Sequence, residues 1–357
     1  MKSLLLKDYR KLELAEQPRP EPGPKEVLIR VAACGICGSD VHGYDGSSGR
    51  RIPPIVMGHE AAGVIAEVGR GATKFQPGDR VTFDSTVYCG ECAFCRRGDV
   101  NLCDRRQVVG VSCGEYRRAG AFAEYIAVPE RILYRLPATM SFPEAAMLEA
   151  VSVALHAVRV SGVAKGDTVL VVGAGMIGLL TMQAARAAGC ARILMADIDA
   201  TRLNLAKSLG ADEVLCCSGA AIAQEVLRQT SELGVDAVFE AVGRNETVAA
   251  SIDSVRKGGT VTLIGNIVPE VTLPLQKVVT RQIRLQGSAA SAGEYTAAID
   301  LVASGRIQVK PLITAIAPLE DGPQWFERLY AHEPNLMKIV LTTGSGNGNS
   351  PANIEAA

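Results

Sequence analysis

No run of eighteen apolar residues occurs in the 357-residue chain, so it offers no candidate membrane span. No block of one charge sign occurs either. The 37 Lys and Arg nearly balance 38 Asp and Glu, for a net charge of −1, and a nucleic-acid partner, which needs a basic face, is not expected. The opening MKSLLLKDYRKLE holds three leucines before charge returns and lacks the apolar core of a secretory signal. These absences point to the cytoplasm. Internal repeats and coiled-coil heptads are missing. Histidine is scarce: His42, His59, His156 and His332 are the whole supply. Cysteine is not scarce, and ten of them in a reducing compartment suit metal ligands or buried thiols better than disulfides.

The length suits two domains with cores large enough to need no disulfide staples. Residues 1–150 show short apolar runs broken by Gly, Pro and Asp, as at Gln76-Pro-Gly-Asp79, which predicts an irregular, mostly β domain. From about Ala145 the texture changes. Strand-like runs at 168–172, 192–196, 213–216, 236–240 and 259–264 alternate with helical stretches at 173–188, 200–209, 220–233 and 245–257. Such alternation implies βαβ units and a parallel sheet over 151–289. Residues 271–287 read as strand. Helical patterns at 293–304 and 319–330 and a strand at 337–341 occupy a last segment, 290–343, before a Gly-, Ser- and Asn-rich tail, 344–357, expected to be disordered.

Four cysteines fall within fifteen residues: Cys89, Cys92, Cys95 and Cys103. They can close a tetrahedral four-thiolate zinc site, structural because no position stays open. An iron–sulfur cluster and a group of buried thiols are the alternatives. The lobe around them, 84–106, is rich in Gly, Arg and Asp, so a metal would supply its folding energy. Elsewhere stand Cys37 in Cys34-Gly-Ile-Cys37-Gly-Ser-Asp40, then Gly58-His59-Glu60, then Glu149. A thiolate, an imidazole and one or two carboxylates make a plausible open zinc site. Spacing alone does not choose Cys37 over Cys34, and the two also read as a redox pair.

The run 169–172 leads into Gly173-Ala-Gly175-Met-Ile-Gly178, an apolar helix, a second strand and then Asp197. A glycine loop between strand and helix, with an acid about 20 residues on, is the dinucleotide fingerprint. Gly173, Gly175, Ile177 and Gly178 are the candidate contacts of the loop. Asp197 suits the ribose hydroxyls of NAD and repels a 2′-phosphate. Arg202 is placed to contact the ribose or to compete for a phosphate. A packing turn and a flavin site are the other uses of this pattern.

In this order the motifs resemble the zinc-dependent medium-chain dehydrogenases over nearly the whole chain, to about residue 341. The resemblance implies a Rossmann doubly wound parallel sheet inserted into a chaperonin-10-like β-rich catalytic domain, completed by the last segment. It places catalytic zinc on Cys37, His59 and Glu149, with Glu60 as ligand or neighbour, and structural zinc on Cys89, Cys92, Cys95 and Cys103, so two zinc ions per chain, with NAD. Ser39 takes the place of the family's hydroxyl proton relay, with His42 as a candidate onward carrier. Asp40 is a candidate acceptor for His59. The polyol and sorbitol branch is the nearest likeness, since it carries Glu as the third protein ligand. That branch often has Pro after this Glu, where Ala150 stands here. A small polyol or sugar substrate follows, with threonine, a phosphorylated polyol, or a nucleotide-binding sensor without turnover as alternatives. Arg50 and Arg51 read as a solvated loop or a phosphate contact, and Lys338 as a solvated residue or a contact to cofactor phosphate or Asp40. The edge-strand reading of 271–287 implies a homotetramer or dimer. The remaining cysteines, Cys34, Cys113, Cys190, Cys216 and Cys217, read as buried small side chains.

Overall fold

A computed structural model describes residues 1–112 and 117–344. Cys113 and the expected disorder of 345–357 lie outside the described residues. Six strands form one sheet in the order Glu213–Cys216, Arg192–Asp197, Thr168–Val172, Val235–Glu240, Val255–Leu263, Arg284–Gly287. Every neighbouring pair is parallel. Val169, Leu170 and Val171 have no exposed surface, because a parallel sheet is covered by helices on both faces and its central strands are apolar throughout. The strand order reverses beside Thr168–Val172, and ligands of such sheets sit in the crevice at that reversal.

The second large sheet is built on the long strand Glu26–Ile36. One side pairs with Glu60–Val68. The other is shared: Tyr125–Pro129 takes the first half and Lys338–Thr342 the second. Ile313–Pro318 then pairs in parallel with Lys338–Thr342. Residues far apart in sequence therefore meet at the end of one strand, next to Cys37. Leu4, Val27, Ile29, Phe83, Phe122 and Phe326 fill the core against this sheet.

Across the seam between the two sheets, Tyr134 stacks on Tyr295 with ring centroids 4.8 Å apart. A buried polar chain adds to it. Asn101 Nδ2 donates to Ala289 O at 2.7 Å and faces His156 Nε2 at 3.4 Å, and His156 Nδ1 lies 2.9 Å from Glu294 Oε1. His156 is thus consumed by the seam.

Two readings of local structure are corrected. Residues 271–287 are not one strand: a helix, Leu275–Thr280, precedes the strand Arg284–Gly287. Val278 and Val279 gave the run its β character, but Pro274 cannot donate to a ladder and sits at the helix start. The helix expected over 245–257 ends at Ser254, and the next strand begins at Val255. No helix among the described residues is long and apolar enough to cross a membrane.

Candidate active site and zinc centres

Cys37 caps the short helix Gly38–Tyr44 as the chain leaves Glu26–Ile36. His59 precedes Glu60–Val68, whose first residue, Glu60, lies opposite Gly35. One donor atom each from Cys37, His59 and Glu60 lies within 4.8 Å of the others. Glu149 is outside that tight group. It stands in the first turn of Leu148–Ser161, and burial pushes its carboxyl up to about 7, partly offset by His59. Cys37 and Glu149 keep some surface open, whereas His59 and Glu60 form a buried floor.

The CxxC ambiguity resolves by location. Cys34 points into the core at 1% exposure, where burial raises its thiol well above the ordinary value. It is absent from the ligand cluster, and both cysteines are free thiols. The glycine between them has its own reason. A Cβ on Gly35 would lie 2.4 Å from Glu60 Oε2, so only glycine lets that carboxylate reach the site.

Two flanking acids are each matched by a buried base. Lys338 pairs with Glu60 and donates to Ile36 O at 3.1 Å. It is 3% exposed, so the expectation of a solvated lysine or a contact to Asp40 is corrected. Burial would lower its pKa, but the acidic groups around it, Glu60 first, together outweigh that and hold it raised. Arg51 bonds Asp40 at 3.0 Å and is 4% exposed, which corrects its reading as a solvated or phosphate-facing loop residue. Asp40 also accepts from Cys37 N at 3.2 Å. His59 Nδ1 lies 3.3 Å from Asp40 Oδ1 but out of line for a hydrogen bond. Burial pushes the Asp40 carboxyl up, and His59 and Arg51 more than reverse it, leaving it well below the usual range. With both flanking acids paired to a cation, Cys37 and Glu149 are the donors left to lose a proton to a divalent ion.

Ser39 Oγ accepts from Arg51 at 3.1 Å. His42 is exposed on the same helix, 3.5 Å from Ser47 Oγ. A cleft of about 220 Å³ joins Cys37, His42, His332 and Met337 to Arg202 of the parallel-sheet region. His332 is a residue that sequence reading passed over, and nothing in its surroundings of charge and loop residues signals it.

The glycine loop fits a dinucleotide. A Cβ on Gly178 would meet Gly173 O at 1.7 Å, whereas one on Gly175 would meet nothing within 4 Å. Gly178 therefore serves packing, and Gly175 faces open space at the start of the thirteen-residue helix Met176–Ala188, which has no side-chain cap. Unused N–H groups at a helix start, with room in front, suit a diphosphate. Ile177 follows in the first turn, partly exposed. Asp197 Oδ2 accepts from Ala174 N and Oδ1 from Asp199 N at 2.9 Å, which ties the acid to the loop. Arg202 rests against Asp199 at 3.6 Å.

The four-cysteine lobe also fits its ion. The donor atoms of Cys89, Cys92, Cys95 and Cys103 all lie within 4.8 Å. Cys89 and Cys95 sulfurs are 3.9 Å apart, and Cys92 and Cys95 3.5 Å. Zinc–sulfur bonds of about 2.3 Å in a tetrahedron put sulfurs roughly 3.8 Å apart, while a disulfide needs about 2.05 Å. Backbone N–H groups of Glu91 and Cys92 point at Cys89 Sγ, and Arg105 N at Cys103 Sγ. The N–H of Glu91 foremost, with that of Cys92, draws the Cys89 thiol down to about 6, while burial pushes Cys95 up to about 12. The helix Ala93–Arg97 buries no residue, so a metal would be the main hold on the stretch that carries Cys92 and Cys95. Cys95→Ser is expected to lower bound zinc by one ion per chain and to open the lobe to protease; metal analysis and limited proteolysis check this.

Residues 23–138 match the alcohol dehydrogenase GroES-like domain and residues 177–304 the zinc-binding dehydrogenase domain. An L-idonate 5-dehydrogenase of Vitis vinifera is 37% identical over 83% of this chain and 81% of its own. The sorbitol dehydrogenase of Bacillus subtilis is 32% identical over 96% and 97%. Among solved structures, galactitol-1-phosphate dehydrogenase of Escherichia coli superposes with a TM-score of 0.88 at 28% identity, covering 96% of this chain and 99% of its own.

Proposed function

Because the chain belongs to the zinc-dependent alcohol dehydrogenase family, we propose that it oxidises a secondary alcohol of a polyol or sugar to the ketone, with NAD as acceptor. The observation that carries this reading is the convergence of the donor atoms of Cys37, His59 and Glu60, of which Cys37 opens on the cleft that reaches Arg202. The substrate class is supported by relatives named for idonate, sorbitol and xylulose. The assignment is two zinc ions per chain. Cys37, His59 and Glu149 hold the catalytic one, with Glu60 beside them, and the four lobe cysteines hold the structural one. Bound there, zinc supplies a Lewis acid that lowers an alcohol's pKa, and the nicotinamide supplies the hydride acceptor.

This chain's own residues do the rest. Ser39 Oγ accepts the substrate's hydroxyl proton as it releases its own toward solvent, and His42, exposed at the cleft, is the candidate onward carrier. Gly175 and the N–H groups after it hold the diphosphate, with Asp197 on the ribose hydroxyls. Asp197→Asn removes a charge-assisted hydrogen bond worth about 1.5–3 kcal/mol. It should shift the ratio of kcat/KM for NAD over NADP by roughly 10- to 100-fold, read from parallel assays with the two cofactors.

Incubating the zinc-loaded protein with NAD and a panel of polyols, aldoses, threonine and polyol phosphates tests the reaction. NADH absorbance is expected to rise with polyols first; a protein with both zinc ions that forms no NADH from any secondary alcohol overturns the reading. Leu275 and Val279, each 67% exposed, lie beside the unpaired edge strand Arg284–Gly287, which supports assembly through this region as a homotetramer, or a dimer. Light scattering should give a multiple of the chain mass, and Val279→Lys should reduce it. The free thiols suit a reducing compartment, and the cytoplasm is the proposed location.

A further inference from the structure

Arg51 has no place in the scheme above, yet it is buried in the middle of it. Its Nη2 donates to Ser39 Oγ at 3.1 Å and to Asp40 Oδ1 at 3.0 Å. Its Nε, also buried, has no partner among the described residues. A buried guanidinium is costly unless well paired. A side chain that loads one nitrogen with two acceptors and leaves another idle is not arranged for stability alone. The two acceptors set its position. The neighbouring helix makes room for it: a Cβ on Gly43 would come within 2.5 Å of Arg51 Cγ.

The chemistry of each acceptor shows what the contact does. A serine hydroxyl has one proton and two lone pairs, and a guanidinium only donates. With Arg51 on one lone pair, the Ser39 proton is turned away from Arg51, and the second lone pair stays free for a proton from outside. Asp40 meanwhile receives Arg51 on Oδ1 and Cys37 N on Oδ2, with Oδ1 also facing His59. One cation therefore fixes both the hydroxyl that moves the proton and the carboxylate that faces a ligand imidazole.

We propose that Arg51 is the positioning residue of the catalytic centre, orienting the Ser39 hydroxyl for proton transfer and holding Asp40 against His59. It acts through these two residues and touches no substrate atom. The proposal rests on reading Cys37 and His59 as zinc ligands and Ser39 as the proton relay.

Three variants of the full-length, zinc-loaded enzyme test it: Arg51→Ala, Arg51→Lys and Gly43→Ala. Loss of a partner behind a metal ligand typically costs 10- to 100-fold in metal affinity or activity. Arg51→Ala is expected to weaken one of the two zinc sites by roughly that factor in chelator competition, leaving the other unchanged. Its kcat should fall 10- to 100-fold with KM nearly constant, and its solvent deuterium isotope effect on kcat should rise as proton transfer becomes limiting. Arg51→Lys keeps the charge without the planar fork and should recover part of both losses. Gly43→Ala, which displaces Arg51 but retains it, should give the same signature at smaller size. Wild-type zinc affinity, kcat and isotope effect in Arg51→Ala overturn the proposal. If Arg51→Ala does not fold, Arg51→Lys and Gly43→Ala decide, and wild-type behaviour in both overturns it. Should the unmodified protein form no NADH, the reaction is misread; a selective loss of one zinc in Arg51→Ala would still uphold the hold on Asp40.

Discussion

Cys37→Ser should lower kcat by about a thousandfold or more while leaving NAD binding unchanged. A serine hydroxyl stays protonated near neutral pH and is a poor donor to zinc, so the ion is lost or misplaced. Lewis-acid stabilisation of charge on oxygen amounts to several kcal/mol, and each 1.36 kcal/mol is tenfold in rate. The dinucleotide loop at Gly173–Gly178 belongs to the parallel sheet, so titration of NADH fluorescence should report an unaltered affinity. Metal analysis should find one zinc ion left, in the lobe. Full turnover in this variant would end the assignment of Cys37.

Lys338→Met should destabilise the zinc-depleted protein by about 3–5 kcal/mol, the usual result of leaving one member of a buried ion pair alone. Both partners are almost fully enclosed, Lys338 at 3% and Glu60 at 1%, so solvent cannot replace the lost cation. The loss should shrink when zinc is restored, because the freed carboxylate then has another cation close by. Chemical denaturation with and without zinc measures both values. A change below about 1 kcal/mol, the scale of an exposed pair, would show that Glu60 has no need of Lys338.

How legible all this was depends on the range of the interactions. The parallel sheet was readable because its central strands hold short apolar runs, as in Val169–Val172, and these alternate with helices of local periodicity. The four-cysteine lobe was readable because its donors lie within fifteen residues. Spacing alone does not choose Cys37 over Cys34; the resemblance does, and the physical reason is the end of the strand Glu26–Ile36, where one thiol faces the core and the other the cleft. The partners of Arg51 and Lys338, which lie 11 and 278 residues away, are not legible in the sequence, where the two read as solvated or ligand-facing. Lys338 did leave a trace: it is the one charge in Met337-Lys-Ile-Val-Leu341, an apolar strand where a solvated lysine has no reason to be. The helix Leu275–Thr280 was missed because valines and threonine outweighed Pro274 in the reading of the run.

The sharing of one flank of Glu26–Ile36 between an early and a very late strand sets an order of assembly during synthesis. Cys37, His59 and Glu60 leave the ribosome within the first sixth or so of the chain, but Lys338, which neutralises Glu60, comes among the last of the described residues. While the chain is being made, the nascent metal pocket therefore carries one more negative charge than the finished one. It is an open chelator first and a tuned site only once the closing strand docks. A ribosome-stalled chain ending before residue 338 should bind divalent ions with less discrimination than the released enzyme.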